Sequence, residues 1–354
     1  MPFNISKKHT SYAAMEAKET LERDWSSLLP EVLNLSDISD FVRFRVVCKA
    51  WRSSTPTTDL PPQFPWILVN GSNKTDLECY SIPSNKFYTI HTPKSFSFLR
   101  GQEGYILTIL CDQFGDSFTY QLSLLNPLNN HEIHIPAIQL DYRYPGFYPW
   151  KNQMGEYVVC YIDGRPNCKV GFWQLGLNNW CELKLDSACG RIFYLKNMFF
   201  IVEWETGITK AFDMGTGTLV YAIPPTEDYS TVDGQYMVEA SGDILRVIGH
   251  FSGILFSERF DVYQLDAKEI GSPSWVKVTS IGNRALFIDL RGTMILGAND
   301  FAKIKRNSIY FYAYNEQCGR CEVKRMDIET GAEEHLQFSI KDPGYWYVHN
   351  IHHM

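Results

Sequence analysis

The sequence predicts a mainly β protein: a β-propeller of six to seven blades preceded by a small helical module. Three observations lead there. A strand–turn–strand phrase recurs six times after Trp66. Most copies follow one or two further strand-like runs, so each unit is a meander of three or four strands. Helical periodicity is confined to a short stretch ahead of the repeat.

The phrase is a strand ending in a large apolar residue, a polar or turn residue, a short loop rich in Asn, Gly or Thr, and a second strand. Its copies read YSI-PSNKFYTI, SLL-NPLNNHEIHI, WQL-GLNNWCELKL, KAF-DMGTGTLVYAI, YQL-DAKEIGSPSWVKV and KRM-DIETGAEEHLQF. The turn residues are Pro83, Asn126, Gly176, Asp213, Asp266 and Asp327, at successive spacings of 43, 50, 37, 53 and 61. Propeller blades recur at about 40–50 residues, so residues 66–350 suffice for six or seven. A β-sandwich also shows regular turns, but it does not explain six copies of one phrase. A ring must close to remove its exposed edges. Trp66–Val69 is therefore expected to complete a blade with strands near Tyr345–Val348.

The helical stretch runs from Asp40 to Arg52. Phe41, Phe44, Cys48 and Trp51 fall at i, i+3, i+7 and i+10, one stripe of a single helix that Ser39 or Asp40 can cap. Upstream, Pro30 suits a first helical turn, and Val32, Leu33 and Leu35 supply a short apolar face. Helices this short bury too little surface to stand alone; they either pack on the β-region or await a partner. Residues 1–22 are expected to be a flexible N-terminal segment and 23–53 the helical module. A Pro/Thr-rich linker over 54–65 then leads to the propeller over 66–350.

Composition excludes several classes. A net charge of −7 lacks the basic footprint of a nucleic-acid protein. No apolar run reaches the roughly 18 residues of a membrane span. The start of the chain carries no secretory leader pattern, and nine irregularly spaced cysteines read as reduced thiols. The expected location is intracellular, in cytoplasm or nucleus, with no nucleic-acid or membrane partner.

Catalytic motifs are missing as well. There is no phosphate-binding loop, no G-x-S-x-G elbow and no H-E-x-x-H helix. Cys318-Gly-Arg-Cys321 is a lone C-x-x-C, where a closed zinc site needs four ligands. It reads as a hairpin loop with free thiols. Glu203 and Glu205 share a strand face and read as solvated edge charges rather than an acid–base pair. No catalytic residue, metal or cofactor is expected. Tyr142-Arg-Tyr-Pro-Gly-Phe-Tyr-Pro-Trp150 is read as a long loop over one propeller face. Its Tyr142, Arg143, Tyr144, Phe147, Tyr148 and Trp150 are candidate target-binding residues, because Tyr, Trp and Arg are enriched in interface hot spots. Packing of that loop on its own blade is the competing reading. The aromatic run Asp342–Tyr347 also invites a binding role.

W-x-x-L-x-P-E-V-L followed by D-F-V-R-F-R-V-V-C-K-A-W-R-S resembles the F-box, a module that docks proteins onto the adaptor of SCF-type ubiquitin ligases. The resemblance implies that Leu29, Pro30, Leu33, Val47, Cys48 and Trp51 face the adaptor or the module's own core. Only Glu31 to Val46 separate the Leu-Pro and Val-Cys pairs, a shorter middle helix than the family carries. P-W-I-L-V at 65–69, L-N-P-L at 125–128, S-I-G-N-R-A-L-F-I at 280–288 and K-R-N-S-I-Y-F at 305–311 resemble the KIB-type propeller of plant F-box proteins. Together they imply a non-catalytic substrate receptor. Its F-box would dock the adaptor and cullin, and its propeller would hold a protein target of unknown identity. The alternative is a propeller interaction protein whose degenerate F-box engages no ligase.

Overall fold

Five consecutive apolar side chains in Tyr157-Val-Val-Cys-Tyr161 call for a strand covered on both faces, and the fold provides that cover. The computed structural model describes residues 38–348 except 56–63, 71–74, 83, 93–96, 103, 142, 144, 164–168, 184–188, 204, 227–233, 252–256, 268–272, 290–291, 302–303, 316–318 and 341–343. The chain divides into two compact units, Met1–Gln63 and Phe64–Met354.

The second unit is a six-bladed β-propeller. Blade 1 joins β1 (Trp66–Asn70), β2 (Asp76–Ser81) and β3 (Lys86–His91) to β25 (Tyr345–Tyr347). Blade 2 holds β4 (Ser97–Gln102), β5 (Tyr105–Phe114), β6 (Ser117–Leu125) and β7 (Glu132–Leu140). Blade 3 holds β8 (Gly146–Lys151), β9 (Tyr157–Asp163), β10 (Lys169–Gln174) and β11 (Cys181–Leu183). Blade 4 holds β12 (Cys189–Leu195), β13 (Met198–Glu203), β14 (Thr209–Asp213) and β15 (Leu219–Ile223). Blade 5 holds β16 (Gly234–Ala240), β17 (Asp243–Phe251), β18 (Ser257–Asp266) and β19 (Ser274–Val278).

Blade 6 has five strands, in the order β21 (Thr293–Gly297), β20 (Arg284–Ile288), β22 (Ser308–Asn315), β23 (Arg320–Asp327) and β24 (Glu333–Ile340). Here β20 pairs parallel with β22, unlike every meander pair around it. Strands β25, β4 and β8 are neighbours in turn, as are β12, β16 and β21, so these strands line the centre of the ring.

Each copy of the recurring phrase is the outermost hairpin of one blade, so the phrase counts the blades: six. The long final spacing reflects the extra strand of blade 6. The turn chemistry repeats too. Asp213 Oδ1 accepts from the Thr216 N–H and hydroxyl, both at 2.8 Å. Asp327 Oδ1 accepts the same pair from Thr330, both at 2.9 Å. In both loops the following glycine, Gly217 or Gly331, closes the turn at positive φ, where a side chain would strain.

The middle strands are buried on both faces. Val158 and Cys160 of β9 pack toward blade 4, while Tyr157, Val159 and Tyr161 pack toward blade 2. In β20, Ala285 and Phe287 face blade 1, and Leu286 and Ile288 face blade 5. The core is thus a set of inter-blade layers, each filled by alternate residues of neighbouring sheets. Ring closure follows the sequence expectation: Trp66, Ile67 and Leu68 pair antiparallel with Tyr347, Trp346 and Tyr345. Phe64 already belongs to this unit, meeting the Phe287 ring edge-on at 5.6 Å.

In the first unit the single helix expected over 40–52 is two. α1 spans Ile38–Val47 and α2 spans Lys49–Ser54. Cys48 is extended, at φ −160° and ψ 169°, and its sulfur caps α2 by accepting from Trp51 N at 3.4 Å. Ser39 and Asp40 therefore lie inside α1 rather than capping it. The two helices are laced together. Arg45 donates to the carbonyls of Arg52, at 3.2 Å, and of Thr55, while Arg52 donates back to Arg45 O at 3.3 Å.

Candidate functional site

Two places hold the residues singled out by the sequence. In the helical unit, Leu29, Pro30 and Leu33 lie outside the described residues. Val47 ends α1 and is 60% exposed, and Cys48 is exposed beside it. Trp51 is half-buried and stacks on Phe44 with ring centroids 4.1 Å apart. Such a stack adds about 0.5–1.5 kcal/mol beyond the area buried. The helical face thus divides its residues: Phe44 and Trp51 hold the helix pair, while Val47 presents an apolar side chain outward.

The aromatic run of the propeller is placed differently from expectation. Residues 146–151 form β8, an inner strand, and not a long surface loop. Phe147 is buried between blades 2 and 3, and Trp150 between blades 3 and 4. Three positions apart, they fall on opposite faces of β8, and Pro149 between them, which an edge strand tolerates, hides the strand from a sequence pattern. Both are packing residues in this fold. Tyr148 is half-buried and stacks on Trp150 at 5.7 Å. Arg143 is exposed, and its carbonyl accepts from the Tyr120 hydroxyl at 2.8 Å. Tyr142 and Tyr144 lie outside the described residues. The second aromatic run is also structural: Trp346 and Tyr347 are buried in the closing strand.

The carboxylate pair is corrected as well. Glu203 is buried, accepts from the Thr206 hydroxyl at 2.5 Å and pairs with Lys210 Nζ at 2.6 Å. It is a satisfied internal ion pair, not a solvated edge charge. Cys321 is buried in β23, whereas Cys318 lies outside the described residues. Among the described residues no cluster of three or more His, Cys, Asp or Glu could hold a metal. No described helix is long and apolar enough to cross a membrane.

The stretch S-I-G-N-R and its companion K-R-N-S turn out to build blade 6. Asn307, at φ +52°, accepts from Ile281 N at 2.9 Å and donates to Thr279 O at 3.2 Å. Arg284 donates to Ile281 O at 2.7 Å and to Ala240 O at 3.0 Å, tying blade 6 to blade 5.

A cavity that the sequence did not reveal opens where the inner strands end. It encloses about 560 Å³ and is lined by Trp150 and Lys151 of β8, Tyr194 and Leu195 of β12, and Met237 and Glu239 of β16. Met294 and Leu296 of β21, with Val348 after β25, complete the apolar wall. Five blades contribute to it, so no local pattern could have announced it. Burial, with smaller contributions from Cys160 and Glu156, pushes the Tyr194 phenol up to about 12. It therefore stays a neutral donor, held by Asn197 Oδ1 at 2.7 Å. Lys151 sits 4.8 Å over the Tyr157 ring, and the Glu239 carboxylate accepts from Lys196 N at 3.2 Å.

Comparison with known proteins agrees with this architecture. The family model described as the KIB1-4 β-propeller matches residues 79–335. The F-box/kelch-repeat protein At1g57790 of Arabidopsis thaliana is 23% identical, over 86% of this chain and 90% of its own. The F-box protein At2g05970 of the same plant is 22% identical, over 89% of this chain and 92% of its own. Among solved structures, TolB from Acinetobacter baumannii is similar at a TM-score of 0.47 and 10% identity, over 80% of this chain and 66% of that one.

Proposed function

The chain belongs to the KIB1-4 β-propeller family, and from that premise we propose that it is the non-catalytic substrate-recognition subunit of an SCF-type ubiquitin ligase. The helical module, residues 23–53, docks the ligase adaptor and through it the cullin, with Leu29, Pro30, Leu33 and Val47 as the contact residues. Cys48, exposed beside Val47, lies on that face, and half-buried Trp51 supports it by stacking on Phe44. A linker within residues 55–63, shorter at both ends than the expected 54–65, joins the module to the propeller, which begins at Phe64 and holds the target protein. Such a receptor works in the cytoplasm or nucleus and needs no nucleophile. It raises the effective concentration of target lysines beside the ubiquitin-charged enzyme.

The observation that carries this reading is that relatives named as F-box proteins align over 86% and 89% of this chain. An outward apolar residue at the end of α1, Val47, is consistent with a docking face.

The test is capture of the purified adaptor by the full chain, wild type against a Leu29→Ala/Pro30→Ala double variant. Binding by the wild type that is lost in the variant is the expected result. Capture by neither leaves a free-standing propeller binder whose helical module engages no ligase.

A further inference from the structure

Resting on the receptor reading, the charges of the helical unit narrow what its partner must present. Between Ile38 and Ser54 the chain carries Arg43, Arg45, Lys49 and Arg52 against a single acid, Asp40. The chain as a whole has the opposite balance, a net charge of −7. Positive charge is therefore gathered on two short helices of an acidic protein.

These cations are not neutralised within the fold. On the propeller, cations meet carboxylates: Lys210 pairs with Glu203, Lys277 with Asp261 and Arg325 with Glu334. In the helical unit the hydrogen bonds of the Arg45 and Arg52 guanidiniums go to backbone carbonyls, those of Arg52, Thr55 and Arg45. Among the described residues no carboxylate pairs with Arg45, Lys49 or Arg52.

Position adds to composition. Val47, Cys48 and Lys49 are three consecutive exposed residues where α1 meets α2. Arg43 lies four positions before Val47, on the same face of α1, and Arg52 lies three positions after Lys49, on the same face of α2. Both are exposed. The apolar Val47 is thus bracketed in the chain by Arg43 and Lys49, the pairing of apolar centre and polar rim found in protein interfaces.

A nucleic acid or an anionic membrane is a poor match. Both present an extended negative field, which the acidic remainder of the chain repels. Both also ask for a longer basic footprint than three exposed residues. A folded protein can set a few carboxylates opposite Arg43, Lys49 and Arg52, and an apolar recess opposite Val47.

We propose that the helical pair docks on an acidic protein surface, that of the ligase adaptor, whose carboxylates ring a recess for Val47 and face Arg43, Lys49 and Arg52. Exposed charges of this kind contribute to encounter and orientation more than to final affinity. The apolar contact holds the complex, and the cations steer its formation.

Adaptor association with the full-length protein, followed in real time, tests this. Raising salt from ~0.1 M to ~1 M shortens the screening length from about 10 Å to about 3 Å. The association rate should fall about tenfold or more over that range, while dissociation changes little. Lys49→Glu should slow association by about fivefold or more at ~0.1 M and match wild type at ~1 M. Lys49→Arg should keep the wild-type rate. Glutamate suits the first turn of α2, so a slower Lys49→Glu reports the partner and not a lost helix. A rate indifferent to salt, a Lys49→Glu rate equal to wild type at ~0.1 M, or a loss that persists at ~1 M overturns the inference and leaves the ligase reading standing. Retention on duplex DNA or anionic vesicles that depends on Lys49 overturns it as well. No adaptor capture at any salt removes both readings.

Discussion

The Tyr347 hydroxyl donates to the Gly104 carbonyl at 2.9 Å, joining residues 243 positions apart. Tyr347 belongs to the strand that closes blade 1, and Gly104 opens the second strand of blade 2. Beside it, Trp346 donates its indole N–H to Ile288 O at 3.0 Å and its backbone N–H to Asp289 Oδ2 at 3.2 Å. One short strand thus fastens blades 6, 1 and 2. Burial pushes the Tyr347 phenol well above its ordinary value, which keeps this donor protonated.

Closure should dominate stability. Trp346→Ala removes a fully buried ring and its indole bond to Ile288 O, keeping the backbone bond to Asp289, and is expected to cost about 3–5 kcal/mol. Tyr347→Phe, which loses only the bond to Gly104, should cost about 1–2 kcal/mol. Urea denaturation followed by tryptophan fluorescence measures both. Equal losses for the two variants would contradict the packing account of the closing strand.

Gly344 sets the angle at which that strand enters. A Cβ there would press on Ile67 and lie 2.7 Å from Leu68 O, backbone that cannot swing aside. Gly344→Ala is expected to destabilise the propeller by about 1–3 kcal/mol, as overpacking does. A melting temperature equal to wild type would show that the entry to β25 is looser than described.

Asn307→Ala strips two hydrogen bonds from the segment leading into blade 6 and leaves the buried Ile281 N–H unpaired. It also puts alanine at φ +52°, so a loss of about 2–4 kcal/mol is expected in denaturant titrations. Asn307→Asp keeps the acceptor and tolerates the backbone, so it should recover part of the loss.

Stability should fall at both ends of the pH scale. The Asp261 carboxyl is held below its ordinary 3.8 by hydrogen bonds from Lys277, His250 and Arg259, which outweigh the opposing effect of burial. A depressed folded value means stability that is present above 3.8 and lost as pH falls through the folded value. Burial pushes the Tyr236 phenol from 10.0 up to about 12. A raised folded value means stability that is complete below 10 and lost as pH rises toward 12. Melting curves across pH should show both shoulders. Asp261→Asn should flatten the acid one, and Tyr236→Phe the alkaline one.

Val47→Asp separates the two units. It places a charge on an exposed helical side chain, so adaptor capture should drop by about tenfold or more while the propeller's melting temperature stays unchanged. Unchanged capture would remove Val47 from the docking face.

What could be read from the sequence was what is local. The six turn residues from Pro83 to Asp327 each mark one blade, because an outer hairpin is built by consecutive residues with fixed turn chemistry. The pairing of Trp66–Leu68 with Tyr345–Tyr347 followed from the need to hide sheet edges. The i, i+3, i+7 spacing does not reveal the break at Cys48, because it suits two short helices that fold back at an extended residue and stack Trp51 on Phe44 as well as it suits one helix. Phe147 and Trp150 were taken for surface residues because two prolines hid a strand that is covered on both faces. Met237, Glu239 and Met294 meet only through the ring, so their proximity is a property of closure and not of spacing.

The pairing of β1 with β25 also sets a timetable for synthesis. About 275 residues separate the end of β1 from its partner, so at ~5–20 residues per second a ribosome needs about 15–55 s to supply it. Through that interval the edge of Trp66–Leu68 that β25 will cover faces water, with β2 on its other side alone. A message cut short a few codons before Tyr345 would yield a chain with nearly all its blades and a permanently bare edge. Such a product invites strand-to-strand aggregation, and nascent-chain chaperones would have most work to do at the first blade made rather than the last.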